Sequence, residues 1–175
     1  MTSSGKPDLE SILYPKGTQF DEQDKLSVLM EEYKLFVETS ERLVARRQNV
    51  NTFFLSVNAL LLSAIGLIIK EAITTRLATW GIFPISIAGI LLCIAWRRLV
   101  LSLSQLNAGK FAVIHLIEKY LPASLFIAEW KALGEGEDKE KYVPSTKTES
   151  FIPVVFITLY AAAFLCGLVY LIVSN

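Results

Sequence analysis

Three stretches of the chain are long, apolar and free of Asp, Glu, Lys, Arg and His, namely residues 53–69, 80–96 and 151–173. A helix of about 17 to 25 such residues spans the roughly 30 Å hydrocarbon core of a bilayer, and a soluble helix seldom needs so long a charge-free run. The pattern therefore predicts an all-α integral membrane protein with three transmembrane helices, at residues 51–69, 80–97 and 151–173.

The first two predicted spans continue as amphipathic segments beyond the apolar stretches. Residues 21–50 and residues 98–121 both place apolar side chains at steps of three and four, which is the spacing of a helical seam. Because the loop at 70–79 is short, we expect the first two membrane helices to form a long antiparallel hairpin whose extensions pair as a cytoplasmic stalk. The seam positions are Leu26, Leu29, Tyr33, Phe36, Ser40, Leu43 and Arg47 on the first helix, and Leu99, Leu103, Leu106, Lys110, Val113, Ile117 and Tyr120 on the second.

The other segments are rich in Pro, Gly and polar residues. Residues 1–20 are predicted to form a flexible arm, and residues 122–150 a short cytoplasmic helix followed by a linker. Pro84 is expected to kink the second span. Ser150 is expected to cap the third helix, which would put Pro153 in its first turn, where a missing N–H costs little.

Basic and aromatic residues at the ends of the spans predict their orientation. Arg46 and Arg47 precede the first span, and Arg97 and Arg98 close the second. By the positive-inside rule the N-terminus is cytoplasmic and the C-terminus lies on the outer side. The same four arginines are candidate contacts for anionic lipid headgroups, although anchoring of the topology is the simpler explanation. Aromatic rings favour the headgroup region, so we expect Trp80, Trp96 and Phe151 at the membrane boundaries.

Charge and composition narrow the function classes. The 17 Lys and Arg balance the 17 Asp and Glu, so no basic surface favours a nucleic-acid partner. The sequence contains no Gly-rich phosphate loop, HExxH motif or paired carboxylates within a span. We therefore predict no enzymatic activity, no cofactor and no metal site, and a structural role for His115, the single histidine.

Polar residues on the helices could serve a pore or ligand site, or they could only stabilise the helices. Asn58 and Ser63 in the first span are candidates for lining a pore or for hydrogen bonds between helices, and the second is favoured. Asn107, Lys110 and Glu118, with Lys119, could form a ligand site at the membrane surface. Their spacing of three or four residues is also that of ordinary pairs on a helix surface, which we expect.

Several strings resemble the RipA-like family of small octameric inner-membrane proteins of bacteria. They are YKLFVETSERLVARRQNVNTFFLSVN from Tyr33, WRRL from Trp96, SQLNAGKFAVIHLIEKYLPASLFIAEWKALGEG from Ser104, and YVPSTKTES from Tyr142. The resemblance implies a homo-oligomer of the bacterial cytoplasmic (inner) membrane, a role in stress or host adaptation, and no established reaction. It assigns no functional residue to this chain.

An oligomer is also expected because the extended amphipathic helices have more apolar face than one partner helix covers. Candidate contacts between protomers are Tyr33, Phe36, Leu103 and Phe111. The favoured function is a scaffold or interaction platform that contacts itself, membrane lipids and a cytoplasmic protein partner. The alternatives are a ring-forming channel or pore-type effector, similar to SLATT defence proteins, and an accessory subunit of a larger membrane complex.

Overall fold

The computed structural model describes residues 8–14, 22–72, 79–137, 140, 142 and 145–173. Most of the predicted arm, the centre of the loop at 70–79, parts of the linker and the last two residues lie outside this described part. The helices are α1 (Leu9–Leu13), α2 (Glu22–Ala72), α3 (Ile82–Glu118), α4 (Leu125–Ala132) and α5 (Ser145–Val173), with a 3₁₀ turn at Gly134–Gly136.

The described residues form helices and turns and contain no strand. Three of the helices, α2, α3 and α5, are long and apolar enough to cross a membrane. The prediction of an all-α protein with three spans is therefore confirmed. Since neither Pro nor Gly occurs between Glu22 and Ile65, α2 continues without interruption for 51 residues.

Two compact units divide the chain. The first, here called the amphipathic unit, consists of residues 1–43 and 106–142. The second, the apolar unit, consists of residues 44–105 and 143–175 and contains all three charge-free stretches. Helices α2 and α3 both contribute to both units.

In the amphipathic unit, the N-terminal part of α2 pairs with the C-terminal part of α3. The Ser40 hydroxyl donates to Asn107 Oδ1 at 3.3 Å, and Lys110 Nζ donates to Thr39 Oγ1 at 2.8 Å. Further along, the Tyr33 hydroxyl donates to Glu118 Oε1 at 2.9 Å. This order of contacts is that of an antiparallel pair, so the predicted hairpin and the pairing of its extensions are confirmed.

The buried face of α3 includes the predicted seam residues Leu103 and Ile117 but departs from the seam at other positions. Leu106, on the predicted seam, is 54% exposed, whereas Ile114 and Glu118, which lie off it, are fully buried. A straight α-helix has 3.6 residues per turn, so a seam counted in steps of 3.5 drifts away from the contact face. The drift places the polar Glu118 inside the unit.

Helix α1 packs against the end of α3 within the same unit. The rings of Tyr14 and Tyr120 lie 4.7 Å apart, and Glu10 accepts a hydrogen bond from the Tyr120 hydroxyl. Lys119 Nζ also lies 4.0 Å from Glu10. Part of the predicted arm thus forms a short helix with specific contacts.

The core of the apolar unit joins all three long helices. Ile65 of α2, Cys93 of α3 and Tyr160 of α5 are buried together, surrounded by partly buried apolar side chains. Gly89 permits this packing, because a Cβ atom there would lie 2.6 Å from Tyr160 Cε1. The close approach of α3 to α5 therefore requires glycine at this position.

Local predictions about Pro84, Ser150 and Pro153 were wrong. Pro84 is the third residue of α3, where its missing N–H has no intrahelical partner, so the helix contains no hydrogen bond for it to break. Helix α5 begins at Ser145, so Ser150 is not its N-cap and Pro153 lies inside the helix. Trp96 is 1% exposed in the single chain, whereas Trp80 and Phe151 are 61% and 63% exposed. The position of all three at the membrane boundaries stays a prediction.

Candidate functional site

An open groove lined with aromatic side chains lies within the amphipathic unit. Its cavity volume is about 490 Å³, which falls in the range of about 300–1,000 Å³ typical of ligand pockets. We call it the aromatic groove. The side chains that give it its character are those of Phe111, His115, Phe126, Glu129, Trp130 and Tyr142.

The aromatic rings contact one another in edge-to-face pairs. Phe111 and Phe126 have centroids 5.6 Å apart at 76°, and Trp130 and Tyr142 have centroids 6.4 Å apart at 78°. Such geometry is favourable for aromatic pairs beyond the apolar area they bury. The pairs connect α4 to α3 on one side and to Tyr142 on the other, so they fix the two walls of the groove.

Gly136 lies close to the indole ring of Trp130. Its φ angle is +75°, a conformation that L side chains rarely adopt. A Cβ atom at Gly136 would also stand 3.0 Å from Trp130 Cη2. The turn at Gly134–Gly136 thus uses glycine both for its backbone conformation and for close contact with the indole ring.

Glu118 fixes the position of α4. Its Oε1 accepts the Phe126 N–H at 2.8 Å and its Oε2 accepts the Ile127 N–H at 3.0 Å. These N–H groups lie in the first turn of α4, where no carbonyl of the helix can accept them. Ser124 precedes the helix and makes no side-chain capping bond. Glu118 therefore caps α4 from the end of a different helix.

Tyr33 completes this arrangement from α2. Partial burial, together with the hydrogen bond to Glu118, raises the pKa of the Tyr33 hydroxyl from 10.0 to about 12. The phenol consequently keeps its proton throughout the physiological range and remains a donor to the carboxyl group. Three segments, α2, α3 and α4, thus converge on the single side chain of Glu118.

In the apolar unit, Asn58 is the centre of a buried polar cluster. Its Oδ1 accepts hydrogen bonds from the Tyr160 hydroxyl at 3.0 Å and from Cys93 Sγ at 3.1 Å. Its Nδ2 donates to the Phe54 carbonyl at 2.8 Å. The amide therefore links α2, α3 and α5. In a single chain it is fully buried, so its side chain meets other helices of the same chain and not solvent.

A second interhelical cluster lies near the start of α5. Trp96 Nε1 donates to Asn51 Oδ1 at 2.9 Å, and Asn51 Nδ2 donates to Glu149 Oε2 at 3.1 Å. Arg47 Nε lies 3.2 Å from the same carboxyl oxygen. The Trp96 ring also stacks on Phe54 at 5.7 Å. Together with the Asn58 cluster, these contacts join the three long helices at two levels.

One face of α2 in the apolar unit carries small and hydroxyl side chains and is exposed. It consists of Thr52, Ser56, Ala59, Ser63 and Gly66, at alternating steps of four and three, and we call it the small-residue face. Larger apolar side chains border it, including Leu60 on one side and Leu55 on the other. Each hydroxyl on this face is satisfied by a carbonyl of its own helix.

The predicted oligomer contacts lie at several places in the single chain. Tyr33 bonds to Glu118, Phe36 lies beneath Lys110 with the ammonium nitrogen 4.5 Å from the ring centroid, and Phe111 forms a wall of the aromatic groove. Leu103 is 7% exposed. Their role between protomers stays a prediction. The predicted role of Ser63, in lining a pore or in hydrogen bonds between helices, also stays a prediction.

The four arginines proposed as lipid contacts all belong to the apolar unit but differ in environment. Arg46, Arg97 and Arg98 are exposed, whereas Arg47 is largely covered and contacts Glu149. Their contact with lipid stays a prediction.

The sequence prediction missed the roles of Glu118 and Asn107. Both were counted among polar residues on a helix surface, but each faces a polar residue of α2. One available signal was that Tyr33 and Ser40, on the predicted seam of α2, need polar partners when they are buried.

The architecture and its polar clusters define a small helical membrane protein with three spans and an amphipathic helical unit. The chain belongs to the octameric membrane protein family (8xMP), whose profile matches residues 30–169. It is therefore a self-associating membrane protein. No curated protein and no solved structure matches the chain.

Proposed function

We propose that the protein is a homo-octameric scaffold of the bacterial inner membrane, with its N-terminus and amphipathic unit in the cytoplasm. It has no catalytic role in this proposal. The small-residue face of α2 carries the proposal, and we assign to it the contact between neighbouring protomers. The RipA-like grouping, with a role in adaptation to stress or to a host, is part of the same proposal.

The chemistry of this face favours a protein neighbour over lipid. Small side chains allow two helices to approach closely, and van der Waals packing is a main source of helix association in membranes. The exposed side chains of Leu55 and Leu60 flank the small residues, so a neighbouring helix that approached this face would pack against both. By comparison, the exposed face of α3 presents the large side chains Ile87, Leu91 and Ile94, which suit acyl chains.

The hydroxyl bonds support the same assignment. Ser56 donates to the Thr52 carbonyl at 2.9 Å and Ser63 donates to the Ala59 carbonyl at 2.8 Å. Because the donors are satisfied within α2, the face can be buried without leaving a polar hydrogen unpaired. A closed ring uses heterologous contacts, so this face would meet a different face of the neighbouring protomer.

Substitution of Ala59 by Phe tests the proposal. The added ring blocks close approach and costs about 1–3 kcal/mol through overpacking, repeated at each interface of the ring. We expect the native mass in mild detergent to fall from that of the assembly to that of smaller species. Leu91→Phe adds a ring at an exposed position of α3 and is expected to leave the mass unchanged. Retention of the full assembly by Ala59→Phe would contradict the proposal.

A second candidate function, a ring-forming channel, is favoured by the hydroxyl groups of the same face. If Ser56 and Ser63 lined a water-filled opening, Ser63→Leu would reduce single-channel conductance in planar bilayers. In the scaffold proposal, bilayers containing the wild-type octamer carry no channel current.

A further inference from the structure

We infer that the aromatic groove is a docking site for a basic segment of a partner protein, which inserts an Arg or Lys side chain between its rings. This inference deepens the proposed scaffold function, since it names the chemistry of the cytoplasmic partner. The groove lies within one amphipathic unit, so its binding capacity can be measured separately from the assembly of the ring.

The charge of the groove favours a cationic guest. Among the described lining residues, Glu129 is the single carboxylate and none is Lys or Arg. Lys131, two residues further along α4, is not part of the lining. A cation entering the groove would therefore meet a carboxylate and no lysine or arginine among these residues.

The aromatic lining favours the same guest. A guanidinium or ammonium group close to aromatic rings gains about 0.5–1 kcal/mol at exposed sites and about 2 kcal/mol when desolvated. The rings of Phe126, Trp130 and Tyr142 offer such surfaces around one cavity. Arginine, Trp and Tyr are also the residue types that most often dominate the binding energy of protein interfaces.

The protein already contains a related contact in the same unit. Lys110 Nζ lies 4.5 Å from the centroid of the Phe36 ring and donates to Thr39. That lysine combines an aromatic ring with an oxygen acceptor, which is the pairing of groups that the groove presents. The groove differs in being open to the outside, where Glu129 and Trp130 are both exposed.

The shape favours a protein segment as the source of the cation. The groove is open along one side and its 490 Å³ exceeds what one side chain fills, so an extended backbone can lie along it while one side chain enters. Its walls are held in place before binding, because Glu118 caps α4 and Gly136 supports Trp130. Such preorganisation reduces the entropy lost on binding.

The experiment uses the full chain in maltoside micelles, which carry no charge, with tryptophan replaced by 5-fluorotryptophan. The probe is a short peptide with one central Arg among Gly, Ser and Leu, and the control peptide carries citrulline, which is nearly isosteric and uncharged. The ¹⁹F resonance of Trp130 is assigned by its loss in Trp130→Leu.

We expect the Arg peptide to shift the Trp130 resonance with at least tenfold higher affinity than the citrulline peptide. Glu129→Gln should lower that affinity at least tenfold, whereas Glu135→Gln, at a carboxylate outside the lining, should leave it unchanged. Equal binding of the two peptides, or an unchanged affinity in Glu129→Gln, would overturn the inference. Displacement of the peptide by phosphocholine more readily than by arginine amide would also overturn it, because the groove would then recognise a lipid headgroup.

The native mass is recorded on the same samples. Peptide binding by a protein that fails to form octamers would refute the proposed assembly and leave the docking site standing. Octamers that do not distinguish the peptides would refute the docking site alone.

Discussion

Replacing Glu118 by Ala should release the first turn of α4 and disorganise the aromatic groove. In the protein, the carboxyl group is fully buried and accepts hydrogen bonds from the Phe126 and Ile127 N–H groups and from the Tyr33 hydroxyl. Alanine leaves all three donors without this acceptor. Because α4 has only eight residues, it has few other bonds with which to compensate.

The magnitude follows from the number of donors released. A buried donor left unsatisfied costs about 1–3 kcal/mol, and loss of a helix N-cap costs about 0.5–2 kcal/mol. The two N–H groups can recover part of this from water once the turn opens. We therefore take about 1–3 kcal/mol for the local opening of the turn, which corresponds to roughly a 5- to 150-fold change in the opening equilibrium.

Amide hydrogen exchange measures this opening directly. The Phe126 and Ile127 N–H groups have no intrahelical acceptor, so their protection depends on Glu118. In Glu118→Ala both should exchange roughly 5- to 150-fold faster. The control is Glu129→Ala, which removes a carboxyl group from α4 itself without removing the cap, and it should leave both rates unchanged.

Glu118→Gln provides a sharper form of the same prediction. Oε1 accepts from both Tyr33 and Phe126, whereas Oε2 accepts from Ile127 alone. The new amide group should therefore keep its oxygen at the Oε1 position and turn its NH₂ towards Ile127. Exchange of the Ile127 amide should then accelerate more than that of Phe126. Unchanged exchange at both amides in Glu118→Ala would refute the assignment of Glu118 as the cap of α4.

Three further predictions concern packing, pH and topology. Gly89→Ala places a Cβ atom 2.6 Å from Tyr160 Cε1 and should destabilise the protein by about 1–3 kcal/mol in thermal unfolding. Gly109→Ala is the control, because no neighbouring heavy atom lies within 4 Å of its new Cβ, and it should not destabilise the protein. Equal melting temperatures of the two variants would contradict the close packing of α3 on α5. Since the pKa of Tyr33 is raised from 10.0 to about 12, its contribution to the free energy of unfolding should be complete below pH 10 and lost as the pH rises to about 12. Tyr33→Phe should remove that part of the pH dependence. A difference titration at the tyrosinate absorption band, wild type against Tyr33→Phe, that places the ionisation of Tyr33 near pH 10 would disprove this. For orientation, a fluorescent protein fused to the N-terminus should fluoresce in the cytoplasm and alkaline phosphatase fused to the C-terminus should be active outside, and the reverse pattern would invert the proposed topology.

The long-range architecture could be predicted because its signals are local and repeated. Charge-free stretches identify the three spans, and the short loop between the first two makes an antiparallel hairpin the simplest arrangement. The absence of Pro and Gly between Glu22 and Ile65 explains why α2 does not stop at the end of its span. The spans and the hairpin rest on patterns averaged over many residues, and the length of α2 rests on the absence of a helix-breaking residue.

Single polar residues were harder to place, because their position depends on partners far away in sequence. Glu118 was assigned to a helix surface by its chemistry, yet it is buried because Tyr33 and the first turn of α4 supply donors to it. The partners of Trp96 also could not be predicted from its own position in the sequence. Asn51 and Phe54 provide a hydrogen-bond acceptor and a stacking surface for it inside the apolar unit.

The start of α5 also could not be predicted from local signals in the sequence. Ser150 followed by Pro153 is a common start for a helix, but α5 begins at Ser145. The earlier start brings Glu149 into the helix, where it contacts Asn51 and Arg47. These tertiary contacts outweigh the local capping preference.

Native mass spectrometry of the full-length protein, extracted in mild detergent with its lipids, tests the central claim of a self-assembling membrane scaffold most directly. The account predicts a single dominant species at eight times the 19.5 kDa mass of one chain. A dominant species of one chain, or a complex of one chain with a different protein, would contradict it.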